Sequence, residues 1–187
     1  MVSIFPKNIT NNTIINQFLR TLKTKIMLKI FKNLFSKSES DTAVEEAPID
    51  LITTKLVQDS FELVKPIAPA AAEIFYTKLF EYDPKLKPLF PTQKEGAMAE
   101  QGNKLMTMLA SAVAGLSDLD KLIPVLQDLG KRHVAYKVEK SHYDTVGAAL
   151  LGTLEAGLGK AFTPEVKEAW TKVYTVMAGV MIEAAYE

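Results

Sequence analysis

Apolar positions recur every three or four residues along most of this chain, and nowhere alternate with polar ones as a half-buried strand would. From residue 50 onward the pattern divides into helical segments with ordinary start and stop signals. Asp50 offers an N-cap ahead of Leu51 and Ile52, and a helix is predicted to about residue 65, with Ile52, Leu56, Leu63 and Ile67 sharing a core stripe. Pro66 and Pro69 mark its end and the next start. A second helix over 70–82 takes its bulk from Ile74, Phe75, Leu79 and Phe80, and Asp83-Pro84 stops it. A short helical corner over 84–90 and a loop over 91–96 follow. Then comes a helix over 98–114, carrying Leu105, Met106, Leu109 and Val113 and closed by Gly115.

Residues 119–151 organise the rest. Leu122, Ile123, Val125, Leu126 and Leu129 lead up to His133, and Gly130, one turn earlier, predicts a frayed or broken helix end. Ser141 reads as the N-cap of a helix reaching residue 158, with Gly157 and Gly159 as its stop. Thr163-Pro164-Glu165 combines a cap, a proline at the first helical position and an acid in the first turn, opening a last helix to about residue 185. No repeat of solenoid period is present. The fold class is all-α, with six to eight helices.

The N-terminal part differs. Residues 1–13 are irregular, broken by Pro6 and an Asn/Thr cluster. Over 14–35, Ile15, Phe18, Leu19, Leu22, Ile26 and Ile30 fall on one helical face, with Lys25, Lys29 and Lys32 beside it; Lys23 intrudes on the face, and Phe31 and Phe35 stray from it. Residues 36–49 are a polar, acidic linker. The expected organisation is therefore a basic extension with its linker over 1–49 and a globular domain over 50–187. The favoured reading of 14–35 is peripheral contact with an anionic membrane surface. A targeting peptide is the second reading, although transit peptides favour Arg and Ser over the Lys found here. Initiation at Met27 is the third.

Charge sharpens this division. The formal net charge is zero, yet residues 1–38 hold seven basic side chains and no acid. The remaining 15 basic side chains face all 22 acids, leaving the body acidic by seven, which argues against nucleic acid as its partner. No cysteine is present, which removes disulfide, thiolate and Cys-ligated metal chemistry and fits a reducing compartment. No run of about 18 apolar residues marks a transmembrane helix. The expected location is the cytoplasm, with membrane association through residues 14–35.

His133 and His142 are the two histidines of the chain. A neutral imidazole is a common axial ligand for iron. By itself a histidine at a helix end is more often a solvated residue favoured by the helix dipole. The neighbours of His133 change that balance: the run 122–133 (LIPVLQDLGKRH), Tyr143-x-x-Val146-Gly147 with Leu150-Leu151, and Ala169-Trp170-x-Lys172-x-Tyr174. Upstream stand Phe75-Tyr76-x-x-Leu79-Phe80, Asp83-Pro84-x-Leu86-Lys87-x-Leu89-Phe90 and Gln101-x-x-Lys104-Leu105-Met106. Together these motifs, in order over roughly residues 50 to 183, resemble the globin family. More narrowly, they resemble the haem domain of bacterial flavohaemoglobins and their single-domain relatives.

The resemblance implies a globin fold, with helices packed obliquely around a pocket for haem b. It implies His133 as the proximal iron ligand, whereas His142 matches no ligand position and reads as a surface residue. On the opposite face it places Gln101 and Leu105 from one helix and Tyr76 from another, the first and last donating to bound ligand and Leu105 limiting the space. Phe90 corresponds to the corner phenylalanine that wedges against the haem. Tyr143 corresponds to a proximal tyrosine which, in flavohaemoglobins, joins a network with the haem and the proximal histidine. In those proteins a glutamate of the last helix hydrogen-bonds that histidine. Ungapped counting from Trp170 puts Ala185 at its place, with Glu183 and Glu187 out of register.

The function so implied is reversible binding of dioxygen and other diatomic gases, carbon monoxide and nitric oxide among them. Conversion of nitric oxide to nitrate would draw on Tyr76, Gln101 and Tyr143 and on a separate reductase. The alternative is a globin-fold sensor or interaction module, haem-based or haem-free, placed by its N-terminal segment. Electron transfer through six-coordinate haem needs a second strong ligand, and Lys104, the nearest candidate, should point away.

Overall fold

The computed structural model describes residues 49–187. They form six α-helices: α1 (Leu51–Val64), α2 (Ala68–Tyr82), α3 (Ala97–Gly115), α4 (Leu119–Ala135), α5 (Lys140–Leu158) and α6 (Pro164–Tyr186). Short 3₁₀ segments at Lys65–Ile67, Pro84–Leu89 and Gly159–Ala161 join or extend them, and there is no strand among the described residues. None of these helices is long and apolar enough to cross a membrane. The amphipathic stretch 14–35 and the linker up to residue 48 lie outside the described residues.

Most helix starts follow the polar residues that precede them. Asp50 accepts a hydrogen bond from the Thr53 amide at 2.8 Å, Asp118 from Lys121 at 3.3 Å, and Thr163 from Val166 at 3.4 Å, so each occupies a donor that a helix leaves unpaired. Asp50 also pairs with Lys172 of α6 at 2.8 Å, which ties the first helix to the last.

Helix α6 is the centre of the packing: α4, α1 and α5 lie against it, while α2 packs on α5 and α3. Trp170, Phe61, Leu79, Leu154, Val57 and Val173 are fully enclosed. The Trp170 indole nitrogen donates to the Ser60 hydroxyl at 2.9 Å, and that hydroxyl donates to the Leu56 carbonyl at 2.6 Å. The largest core side chain thereby loses no polar interaction on burial.

Three expectations are corrected. The core stripe of α1 is Val57, Phe61 and Val64 beside Thr53, Thr54 and Ser60, whereas Ile52 is 75% exposed, Leu63 56%, and Ile67 also lies on the surface. Leu56 alone of the expected stripe packs partly against the core. Apolar residues occupy both faces of α1, and the face carrying Phe61 and the Ser60 hydroxyl is the one that meets Trp170. Gly130 does not break its helix, since α4 continues to Ala135. An added Cβ there would stand 2.3 Å from the Met181 carbonyl oxygen, so the glycine is present because α4 and α6 touch backbone to backbone. The cap of α5 is Glu139 rather than Ser141, because the extended backbone ends at Glu139 and His142 reaches back to its amide.

Candidate functional site

The expected site residues fall into two clusters. The first is built by α2, the corner after it and α3. Tyr76 and Phe80 stand one helical turn apart on α2 and so share a face. The 3₁₀ corner Pro84–Leu89 delivers Phe90 onto them, with ring centroids 5.3 Å from Tyr76 and 5.5 Å from Phe80, both edge-to-face. Aromatic quadrupoles favour that arrangement over a flat sandwich. Tyr76 also meets Phe75 edge-to-face at 5.1 Å.

Across from them, α3 presents Gln101 and, one turn later, Leu105, both half-buried. Burial pushes the Tyr76 phenol above its ordinary pKa, and the Gln101 side chain, facing its hydroxyl, draws it part of the way back. Gly102 makes this approach possible. A Cβ at that position would lie 2.9 Å from the Ala72 Cβ of α2, so the two helices close together at the residue next to Gln101. A cleft of about 450 Å³ runs between the same helices, bordered by Pro69, Ala72, Tyr76, Phe80, Met98 and Gly102. It reaches Tyr76, but Gln101, Leu105 and His133 do not line it.

The second cluster surrounds His133 at the end of α4. Its Nδ1 donates to the Leu129 carbonyl at 2.8 Å, because a carbonyl oxygen can only accept. Burial lowers the pKa of the ring, the Leu129 carbonyl opposes that, and the charge of Arg132 adds to it. The favoured form is thus neutral imidazole with its proton on Nδ1 and a free lone pair on Nε2. That is the form a metal accepts. None of the groups acting on this ring is a carboxylate. Among the described residues, no group of three or more His, Cys, Asp or Glu could cage a metal ion. His133 is therefore suited as one axial donor to a metal that brings its other ligands with it.

Tyr143 and Tyr136 flank the imidazole, with ring centroids at 6.3 and 6.1 Å. Tyr143 is only 6% exposed, and its hydroxyl has no hydrogen-bond partner. Burial and the neighbouring Tyr186 push that phenol up to about 12. Tyr186 itself donates to the Val138 carbonyl, and Val138 donates back through its amide to the His133 carbonyl at 3.1 Å. Tyr174 donates to the Tyr143 carbonyl. His142 is half-buried, and its Nδ1 accepts from the Glu139 amide at 3.1 Å, so it serves as a helix cap. Lys104 is exposed.

The sequence reading passed over Leu129, Tyr174 and Tyr186. Leu129 and Tyr174 stand inside the motifs quoted, but their roles belong to a backbone carbonyl and to a contact distant in sequence. The signal for Tyr186 was its place one turn after Ile182 on the inward side of the last helix.

A family profile for globins matches residues 73–181, more than half of the chain and a span that includes Tyr76, Phe90, Gln101, His133 and Tyr143. The chain belongs to the globin family. This globin is 30% identical over 141 residues to a flavohemoprotein of Oceanobacillus iheyensis, a match covering 74% of this chain and 34% of that protein. A flavohemoprotein of Vibrio cholerae is 30% identical over 130 residues, covering 68% of this chain and 32% of the other. The globin thus spans about a third of the length of these relatives. A neuroglobin of Danio rerio is 31% identical over 136 residues, covering 67% of this chain and 86% of that one. Among solved structures, a hexacoordinated heme protein from an anhydrobiotic tardigrade, at pH 4, superposes with a TM-score of 0.68 at 19% identity. That match covers 75% of this chain and 97% of the tardigrade protein, and at such identity it speaks for the fold alone.

Proposed function

We propose that this globin binds haem through His133 and holds diatomic gases, dioxygen foremost, on the opposite side, where Tyr76 and Gln101 stand. The observation that carries the reading is the Nδ1 hydrogen bond to Leu129 at 2.8 Å, which together with burial leaves the Nε2 lone pair of a neutral imidazole free. The unpartnered hydroxyl of Tyr143 beside that ring supports it, because a buried polar atom without a partner marks a place where a further group completes the structure. We take the group to be haem b, as the family resemblance implies, and the absence of cysteine for thioether links agrees with a haem held without covalent links. When bound, haem supplies a ferrous iron that takes up a diatomic ligand and can lose an electron to become ferric.

The chain's own residues do the rest. His133 anchors the iron. Tyr76 stays protonated across the physiological range, since burial raises its pKa, and can donate its hydroxyl proton to a ligand that gathers negative charge. Gln101 orients that hydroxyl and adds an amide donor. Phe90 and Leu105 exclude water and restrict the space. The same donors would favour conversion of nitric oxide to nitrate by restraining dioxygen. Repeated turnover then requires electrons from a reductase.

Absorption spectra test this reading. The protein supplied with haem is recorded oxidised, reduced, and reduced under carbon monoxide, alongside His133→Ala. The expected result is a five-coordinate reduced form, a carbon monoxide complex, and loss or alteration of both in the variant. No haem uptake by the wild type contradicts the reading. For residues 14–35 the proposal is contact with anionic membranes. The full chain should co-sediment with anionic vesicles and a chain beginning at Asp50 should not; equal behaviour of the two removes the proposal.

A further inference from the structure

The apolar stripe that the sequence places on α1 exists, but it faces outward. Ile52, Leu56, Asp59 and Leu63 follow one another at spacings of four, three and four, so they run along one line of the helix. Val57, Phe61 and Val64 hold the opposite side and enter the core. Ile52 and Leu63 are exposed, Leu56 is half-buried, and Leu51 and Ile67 add exposed apolar surface at the two ends. Large apolar residues at alternating spacings of four and three form the seam by which one helix packs along another. Among the described residues no helix lies over the Ile52–Leu63 line.

The charges beside this seam indicate what fits it. Lys55 and Glu62 flank it on one side, two turns apart. On its other side stand Thr53 and Ser60, both buried in the domain's own core. A second α1 laid antiparallel along the first answers this arrangement. Ile52 then meets the partner's Leu63, and Lys55 comes opposite the partner's Glu62, each contact repeated by two-fold symmetry. A parallel copy would turn both charges toward the Thr53 and Ser60 side and form no ion pair. Lys55 now pairs with Asp59 at 2.9 Å and Glu62 with Lys65 at 2.5 Å, but such exposed pairs contribute little, so the charges are free to exchange partners. Asp59 is the misfit of the seam, set against the partner's Leu56.

We propose that this globin associates with a second copy of itself through the outward face of α1, the two helices antiparallel along Ile52, Leu56, Asp59 and Leu63. One face of a 14-residue helix offers less than the about 800 Å² per partner of a standard stable interface. The dimer therefore forms and dissociates with protein concentration. The inference does not depend on the haem reading.

Sedimentation velocity of the full chain over a range of concentrations should show a monomer–dimer equilibrium. Ile52→Glu and Leu63→Glu, both at exposed positions, should each leave only monomer with helicity unchanged. Asp59→Leu, which completes the seam, should tighten the dimer by roughly tenfold or more. The chain has no cysteine, so introduced ones report alone. Ile52→Cys combined with Leu63→Cys should give a covalent dimer on oxidation, since three turns of one helix keep the two thiols of a single chain apart. Ile52→Cys by itself should not cross-link. A monomer at every concentration, a dimer that survives both glutamate substitutions, an Asp59→Leu dimer no tighter than wild type, or ready cross-linking of the single Ile52→Cys variant overturns the inference.

Discussion

The two clusters of this globin are built by opposite means. Around Tyr76, side chains hold side chains: Phe80 and Phe90 meet it ring against ring, and Gln101 answers its hydroxyl. Around His133, the backbone does most of the holding, through the Leu129 carbonyl, the Val138 carbonyl and the turn at Lys137. In each cluster a buried phenol faces one side chain of another helix, Gln101 for Tyr76 and Tyr186 for Tyr143, but the Tyr143 hydroxyl closes no hydrogen bond of ordinary geometry. A site made of side chains can change its ligand chemistry by single substitutions with little effect on the fold. A site made of backbone contacts answers first in stability, because moving it moves helices.

Glycine substitutions should expose this contrast most strongly. Gly130→Ala drives a methyl group against the Met181 carbonyl on the His133 side, where neither backbone can yield cheaply. The expected cost is about 1–3 kcal/mol, as for overpacked cores, measured by thermal or urea unfolding of the haem-free protein. Gly102→Ala on the Tyr76 side meets only the Ala72 methyl and should cost less. The reverse order would mean that α2 and α3, not α4 and α6, are the rigid pair.

Tyr76→Phe should act in the opposite sense. Removing one hydroxyl from an aromatic cluster leaves the rings packed, so stability should move by less than in the glycine variants. Dioxygen release should accelerate by roughly 10- to 100-fold, the equivalent of losing a hydrogen bond to a charged acceptor. Stopped-flow release measured on wild type and variant decides it, and an unchanged rate would remove Tyr76 from the ligand side. Gln101→Leu should accelerate release less, since Gln101 acts partly by orienting Tyr76.

The smallest effect expected lies outside both clusters and gives a baseline. Lys172 and the Thr53 amide and hydroxyl hold the Asp50 carboxyl well below its ordinary pKa. Its contribution to stability is therefore complete above the ordinary carboxylate value of about pH 4 and is lost as pH falls through the lower folded value. Asp50→Asn should flatten that part of the stability–pH curve without touching the neutral-pH spectra of either cluster. Persistence of the full acid-range loss in the variant would assign it to other carboxylates.

The sequence made some of this readable and hid the rest for physical reasons. The helix starts at Asp50 and Thr163 were readable because each side chain acts on an amide three residues away, within the reach of local pattern. His133, Tyr76, Gln101 and Phe90 stand as candidates through a family resemblance, because they sit in motifs whose spacing is set by the helices that carry them. The inner face of α1 was not readable, because Ile52, Leu63 and Ile67 are as apolar as Val57, Phe61 and Val64, and only the partner helix decides between them. Gly130 looked like a weak point because helix propensity is local, whereas its reason, the Met181 backbone, lies on another helix. Tyr186 was missed for the same cause, as its hydroxyl finds Val138 only after α4 and α6 have packed.

The central claim is that His133 is the protein's bond to iron, and replacing its side chain by a free ligand tests it most directly. His133→Gly removes the imidazole and leaves room for one added to the solution. The account predicts that the variant loses the five-coordinate reduced spectrum of the wild type and regains it, with carbon monoxide binding, as imidazole is titrated in. A variant that shows the wild-type reduced spectrum with no imidazole present would place the iron's protein ligand elsewhere and contradict the account.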